Sequence, residues 1–570
     1  MIVREKMQNF KKFPVKLFFL LGFLLLGIYF QMFFSGFLPW DDDYNIRINP
    51  YYLQSQWFEI WTHIYFGMYI PVTSTFWAAL YFLGDGQAFP FRVFNFCLHL
   101  LNTYLVFKFA QLWFEKDKTK GAWLLYLMPL IFSLHPLQVD AVAWISGGRD
   151  LLATTFALLS LICFFKLPNK AGFVLAGALF TLSLLSKPQV ASLPIVIFLL
   201  SYVRNPIEWK KCSIQMLLWC VPVSVVTFLT YFKQQEINLP SLNFWQRFVV
   251  IFDSFGFYLS KILWPHDLTV DYGRTPSYLL NQFEKEFFPL ILFTSLFLVL
   301  AFSAFKLKKK SIFLIFLSWV ACLLPVSGII NFSFQEISTT SNHYAYFPMV
   351  FFSLFLIQLL DLILSHTKRA SKALFLACSF CLIFYSVLSW QRVQSWQNPK
   401  IFFDTMLRQN ENSFSAMMGL GQYYSDEEKS HLKALALFQQ ALLKKPKNIL
   451  VISNITTSLV RLHRYEEAAA MEFWLFDSEF QSWMLRRNID FANFLNALGS
   501  AMSPLGRDDL ALLYICEAQA MNPVWSGYSL NAEKILARLR PKNPQINCPT
   551  FSSLGKFINT ANAARLKQQK

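Results

Sequence analysis

Charge is scarce in this chain of 570 residues: only 15% are Asp, Glu, Lys or Arg, against about 25% in a soluble domain. With 55% hydrophobic residues beside it, that scarcity excludes a water-soluble globule of this size and an unstructured chain. Acidic residues are the rarer sign, 34 against 51 Lys and Arg. The basic surplus gathers at the ends of apolar runs, so it reads as a membrane signature and implies no nucleic-acid partner. Cysteine is sparse. The nine residues hold one CxxC, Cys378-Ser-Phe-Cys381, which sits inside an apolar run, and no Cys/His spacing for zinc. Cys516 with Cys548 is at best a candidate for one bridge, and the other seven are expected as core or lipid-facing thiols, so a disulfide scaffold is excluded too.

Apolar runs are abundant. A bilayer core of about 30 Å takes roughly 20 residues per helix. Eleven segments are expected as spans, near 17 to 39, 92 to 114, 121 to 135, 150 to 166, 171 to 186, 188 to 203, 213 to 232, 288 to 305, 311 to 330, 346 to 365 and 373 to 390. The pair flanking Lys187-Pro188 reads as two spans or as a re-entrant hairpin, with the same parity downstream. The first run exceeds the 7 to 15 residues of a signal-peptide core and lacks a small-residue cleavage site, so an uncleaved anchor is expected. Arg4 to Lys16, Lys116 to Lys120, Lys210, Lys211, Lys306 to Lys310 and Lys368 to Lys372 then fall on one side of the membrane, which the positive-inside rule makes cytoplasmic. The stretch 245 to 264 is expected as an amphipathic helix on the outer surface. The N-terminus lies inside and the C-terminal region outside, in the periplasm beneath a bacterial cytoplasmic membrane or, alternatively, in the endoplasmic reticulum. Asn331-Phe-Ser333 and Asn454-Ile-Thr456 are glycosylation triplets that fit the second compartment.

From about Gln391 the composition turns polar with helical periodicity. Segments beginning at His431, Tyr465 and Asp508 align, with Ala434 and Ala468 34 positions apart, and they resemble the tetratricopeptide repeat. The expected fold class is therefore all-α: a polytopic membrane helix bundle over residues 1–390, followed by a soluble α-solenoid of repeats over 391–570. Stacked helix pairs make a concave surface that commonly holds peptide.

Chemistry-bearing residues concentrate in the outer loops. Asp41, Asp42 and Asp43 directly follow the first span. Three adjacent carboxylates repel and raise at least one pKa unless offset, which suits a general base or a metal ligand as well as a solvated acidic turn. A second cluster runs from His135 through Asp140 to Gly147-Gly148-Arg149-Asp150. There backbone N–H groups and a guanidinium can approach a phosphate together, or Arg149 and Asp150 can simply cap the next helix. Lys187-Pro188 and the segment carrying His266, Asp267, Asp271 and Arg274 add charge to the same face. His99, with Asn95 and Asn102 at helical spacing, reads as a packed polar face.

These residues occur in a distinctive order. Asp41-Asp42, Tyr69-Ile-Pro71-Val-Thr73, Asn95-x3-His99-x2-Asn102, His135-Pro136 through Arg149-Asp150, Ser186-Lys187-Pro188, Trp264-Pro265 through Tyr272, and Asn342-His343-Tyr344-Ala-Tyr346-Phe-Pro348 resemble the transmembrane and tetratricopeptide-repeat-containing O-mannosyltransferase-like family. That family is part of the GT-C superfamily of polyprenyl-phosphate-sugar-dependent glycosyltransferases. The resemblance covers nearly the whole chain and implies an enzyme with an outer-face site, a polyprenyl-phosphate sugar donor and a protein or peptide acceptor met through the repeats. It places the catalytic carboxylate on Asp41 or Asp42, with Asp43 beside them. Arg149, and Lys187, Arg274 or His343, are expected at the donor phosphate, supported by His135, Asp140, Asp150, His266 and Tyr344. The chain departs from the family pattern where His343 replaces an Arg before Tyr344 and where Ile70 precedes Pro71. Carboxylates and waters would hold a divalent cation, Mg or Mn, only weakly. The competing readings are a non-catalytic assembly protein acting through its repeats and a transporter of lipid-linked substrate, which would need ionisable residues deep in mid-span.

Overall fold

The computed structural model describes residues 15–64, 67–114, 123–205, 209–233, 241–282, 287–306, 310–366, 371–477, 488–523, 525–549 and 554–568. Much of the expected cytoplasmic basic set (Arg4, Lys6, Lys11, Lys12, Lys116, Lys118, Lys120, Lys308, Lys309, Lys368 and Arg369) lies outside the described residues. Among those described, the regular elements are all helices. The protein is thus an all-α membrane bundle with a helical repeat region. By contacts it divides into two compact units, Met1–Asn410 and Glu411–Lys570.

Each of the eleven expected apolar segments falls on a helix of the first unit. Among the described residues, six are long and apolar enough to cross a bilayer alone: Lys16–Phe34, Phe89–Phe114, Ile145–Lys166, Phe288–Lys306, Pro348–Ser365 and Ser371–Gln394. A seventh is the pair Leu124–Leu134 and Pro136–Ala143, bent by 48°. Pro136 causes that bend by forcing His135 into extended backbone, with φ −70° and ψ 132°. The remaining segments fall on the helices Lys170–Ser186, Pro188–Arg204, Trp209–Lys233 and Lys310–Val326. Pro188 acts on Lys187 as Pro136 does on His135, leaving the lysine extended between two helices. Phe288–Lys306 and Ser371–Gln394 leave apolar side chains such as Leu298, Phe302, Phe380 and Ile383 uncovered, as helices solvated by lipid do. The stretch 245 to 264 is the helix Phe244–Leu263, opened by a capping box of Asn243 and Gln246. It buries Val250, Asp253 and Phe257 and exposes Phe244 and Trp245.

Phe89–Phe114 fastens the interior of this unit. Its residues Arg92, Asn95, His99 and Asn102 recur at helical spacing on one buried stripe, and each finds a partner on a neighbouring segment. Arg92 donates to the carbonyls of Ser35, Gly36 and Ala143. Asn95 Nδ2 donates to the carbonyls of Val142, Trp144 and Ile145. His99 bonds the Tyr346 hydroxyl at 2.8 Å and Asn102 donates to the Leu151 carbonyl at 2.9 Å. Inside an apolar bundle an unpaired polar group costs several kcal/mol, so the stripe selects one arrangement of the loops at its N-terminal end.

The change of composition near Gln391 and the division of contacts after Asn410 do not coincide, and the reason is local. Arg392, Trp396, Phe402 and Phe403 are buried: Arg392 pairs with Asp140 at 2.7 Å, Trp396 stacks 6.2 Å from Trp144, and Phe402 meets Trp40 at 6.1 Å. These twenty polar-looking residues therefore complete the membrane unit.

In the second unit, Phe414–Asp426 pairs with His431–Lys444, Ile449–Arg461 with Tyr465–Ala470, and Asn488–Met502 with Asp508–Met521, each pair stacking on the next. Ala434, Ala468 and Ala511, the small residues of the three aligned segments, are fully buried where helices touch. Gly421 lies against the ring of Phe438, 2.6 Å from where a Cβ would sit. Cys516 and Cys548 form the disulfide that the spacing only suggested.

Candidate functional site

The acidic triplet does not act as one group, because each carboxylate has its own partner. Asp42 is fully buried. Its Oδ1 accepts from the Ser146 amide at 3.0 Å and the Ser146 hydroxyl at 2.7 Å, while its Oδ2 accepts from the Leu38 amide at 3.2 Å. It ties the chain leaving the first helix to the turn before Gly148–Lys166. Burial pushes its pKa up to about 6, against the Ser146 and Leu38 hydrogen bonds and the Arg92 charge, which favour the ionised form. Asp43 pairs with Arg47 at 2.9 Å one turn away. Asp41 faces the other way: its side chain is 27% exposed and its Oδ2 lies 3.4 Å from Nη2 of Arg149. Burial raises its pKa, opposed by Arg149 and Lys187.

Around Asp41 the structure gathers several of the expected residues. Arg149 is held over the Trp144 ring at 4.9 Å, and its Nη1 approaches the Met68 sulfur at 3.5 Å. Lys187 pairs with Asp150 at 2.5 Å and sits 5.1 Å above the Tyr344 ring. Burial, with Arg149 adding to it, pushes the Lys187 pKa down to about 8, while Asp150 and Asp41 oppose the shift. His343 packs between Trp144, at 5.2 Å, and Tyr344, at 4.2 Å. Its Nδ1 bonds the Ser341 hydroxyl at 3.0 Å. Burial first, then the charges of Lys187 and Arg149, hold this ring well below its ordinary pKa, so it is neutral at neutral pH. Buried polar atoms without a partner cluster here: Nε of Arg149, Nε1 of Trp144 and Oδ2 of Asp150. Two donors and an acceptor left open in one small region are what a site awaiting a polar ligand displays.

The glycines before Arg149 answer to packing. A Cβ on Gly147 would lie 2.4 Å from the Ala141 carbonyl, and one on Gly148 would lie 2.6 Å from Asn95 Oδ1. They let the turn settle onto the polar stripe and so carry Arg149 and Asp150 into place at the start of their helix.

Other expected residues have different partners. Asp140 receives four donors, Nε and Nη2 of Arg392, Nε1 of Trp396 and Nδ2 of Asn342, all at 2.7 to 2.9 Å, which makes it a structural anchor. His135 accepts from the Leu137 amide through Nδ1, and its Nε2 faces the Ile262 carbonyl at 3.0 Å. Arg274 is engaged by both oxygens of Asp253 at 2.7 and 2.9 Å. His266 is exposed and bonds Asp267 at 2.7 Å, holding that carboxyl below its usual range. Sequence reasoning missed Ser146, Trp144, Arg392 and Trp396. Arg92, in register with Asn95 on the polar stripe, was the one such anchor that helical spacing could have flagged. Among the described residues no three His, Cys, Asp or Glu side chains converge in a metal-binding group, and the three aspartates point to three different partners. The fit to Mg or Mn is therefore poor, and no step below passes through a metal.

These features define a multi-pass helical membrane protein whose loops assemble a carboxylate and two cations beside unpartnered polar groups. No protein-family model matches the chain. It is similar to the protein O-mannosyl-transferase TMTC2 of Homo sapiens and to that of Mus musculus. Each is 26% identical over 162 residues, which cover 26% of this chain. The match spans only 18% of the length of these curated relatives.

Proposed function

We propose that the protein is a membrane glycosyltransferase that moves a sugar, mannose-like by its relatives, from a polyprenyl phosphate to a hydroxyl of a protein. The observation that carries the reading is the Asp41, Arg149, Asp150 and Lys187 group. It sets a half-buried carboxylate against two buried cations at the ends of apolar helices, where an isolated charge is costly and marks function. The similarity to an O-mannosyl-transferase supports it.

In this mechanism the ionised Asp41 carboxylate accepts the proton of the acceptor hydroxyl as its oxygen attacks the anomeric carbon, with inversion. The bond from that carbon to the phosphate oxygen breaks, and the leaving polyprenyl phosphate keeps the electron pair. Arg149 and Lys187 stabilise the charge growing on that phosphate. Their partners divide the work: Asp150 holds Lys187 in place, and Trp144 fixes the guanidinium plane. Asp42 positions the Asp41 peptide by clamping both flanks of the loop. Neutral His343 is a poor phosphate partner and instead walls the site. The polyprenyl tail stays in the bilayer. The repeat unit receives the acceptor or a partner protein in a non-cytosolic compartment, the periplasm first and the endoplasmic reticulum second. The Cys516–Cys548 bond supports that side, since disulfides persist in oxidising compartments.

Neutral His343, where the resembled family has Arg, favours a second reading, a non-catalytic assembly protein. Purified protein incubated with polyprenyl-phosphate mannose and a Ser/Thr peptide separates the two. Free polyprenyl phosphate accumulates with the peptide present if the transferase reading holds, and its absence across several lipid-phosphate sugars would leave the assembly reading.

A further inference from the structure

The second unit contains a cavity of about 380 Å³ lined by Gln422, Asn454, Asn493 and Asn496 together with Trp525. The amides come from three helices, Phe414–Asp426, Ile449–Arg461 and Asn488–Met502, and two of them are fixed in place. Tyr528 donates to Oδ1 of Asn493 at 2.6 Å, and Asn531 donates to Oδ1 of Asn496 at 3.0 Å. Nδ2 of Asn454 is buried and has no partner. The indole is fixed too. Tyr528 meets it edge-on with ring centroids 4.3 Å apart, and Gly527 makes room for it, since a Cβ there would lie 2.8 Å from the Trp525 ring. Trp525 nevertheless stays 49% exposed. The lining carries one Arg and one Asp, and they are paired: Arg461 reaches Asp426 at 3.3 Å and the Ser425 hydroxyl at 2.9 Å. The cavity is therefore electrically neutral, with a braced, half-exposed indole beside a set of oriented amides.

We infer that this cavity is a carbohydrate site for a neutral oligosaccharide, one pyranose ring lying on Trp525 and its hydroxyls bonded to the Asn454, Asn493 and Asn496 amides. A pyranose has two unlike surfaces: a face of polarised C–H groups, and a rim of hydroxyls that each donate and accept. An indole offers a flat apolar face with negative character, which suits the first. An amide carries a donor and an acceptor on one planar group, which suits the second. A charged ligand finds no counter-ion here, and a lipid chain would bury these amides without partners. The indole is what separates a sugar from a bare peptide main chain, which would engage the amides and leave the flat face unused. An oxygen of the ligand satisfies Asn454 Nδ2, a buried donor that is otherwise costly to leave open. The volume lies at the small end of the range for ligand pockets, about 300–1,000 Å³, so a short oligosaccharide is the expected size. On the transferase reading the sugar is the mannosyl residue already installed on an acceptor. The choice of mannose rests on that reading, and the neutral-sugar chemistry does not.

The test is saturation-transfer-difference NMR with the full-length protein in nanodiscs. The free-sugar probes are mannotriose, cellotriose and chitotriose, and a threonine peptide is added with and without an O-linked mannose to tell a glycan on a protein from a free one. Saturable binding of at least one trisaccharide is expected, with the strongest transfer to the C–H protons of a single ring. Trp525→Ala should weaken it by about tenfold or more through the lost stacking surface. Asn454→Leu removes an unpartnered donor, so it should weaken binding while the melting temperature holds or rises; this keeps the test valid if the Trp525 variant misfolds. The mannosylated peptide should displace the sugar and the bare peptide should not. The Asp41→Asn protein should bind like wild type, so loss of transfer there leaves this inference standing. Absence of binding by all three trisaccharides, undiminished binding by folded Trp525→Ala or Asn454→Leu protein, or displacement by the bare peptide as strong as by its mannosylated form would overturn it.

Discussion

Asp42 offers a measurement in which stability, not activity, reports the geometry. The folded state raises its pKa to about 6, while in the unfolded chain it returns to about 3.9. The folded protein thus holds this proton more tightly, and the residue's favourable contribution is fully present below pH ~4. It is lost as pH rises through about 6. At roughly 1.4 kcal/mol for each pH unit between the two values, the loss totals about 3 kcal/mol. Asp42→Asn removes that slope. The amide carbonyl can still accept both Ser146 donors, but its NH₂ then faces the Leu38 amide, donor against donor, at a cost of about 1–3 kcal/mol that does not vary with pH. Thermal melts of the two proteins in the same detergent, followed by tryptophan fluorescence from pH 4 to 7.5, should therefore diverge. The variant is expected to melt below wild type at pH 4 and to close or reverse the gap by pH 7. Parallel curves across the range would refute the assignment of Asp42 as a buried clamp with a raised pKa.

Three further outcomes follow from the same structure. Because burial raises the Asp41 pKa and a base must be ionised, kcat/KM for sugar transfer should fall on the acid side at a pH above the ordinary carboxylate range; a limb near pH 4 would contradict this. Arg392→Ala strands the Asp140 carboxylate and should destabilise the membrane unit by about 3–5 kcal/mol, read as a lowered melting temperature that Arg392→Lys restores only in part. Breaking the Cys516–Cys548 bond, which closes a sequence separation of 32, should cost about 4 kcal/mol by loop entropy. The check is faster proteolysis of the second unit in Cys516→Ser without loss of membrane insertion.

What the sequence made legible follows from the range of the forces involved. Hydrophobic runs are local, so the helices of the bundle could be placed from composition alone. The pairing of Asp41 with Arg149 and of Asp150 with Lys187 joins residues far apart in the chain, and no spacing encodes it. Asp41 and Asp42 are neighbours with the same side chain, yet one is sealed under Ser146 and the other borders the open site. Only the turn held by Asn95 and Arg92 decides which. Arg392 and Trp396 looked like the start of a soluble tail because they are polar or interfacial by type, and their burial depends on Asp140, some 250 positions earlier. Arg274 and His266 looked equivalent to Arg149 for a similar reason: charge in an outer loop is visible in sequence, whereas its partner is not.

The central claim is that Asp41 accepts the proton as the sugar transfers. It is tested most directly by the rate of glycopeptide formation from polyprenyl-phosphate mannose in wild-type and Asp41→Asn protein of matched melting temperature. A loss of about 10²-fold or more, the usual weight of a general base, is the predicted result. Transfer at an undiminished rate by the folded variant would contradict the account.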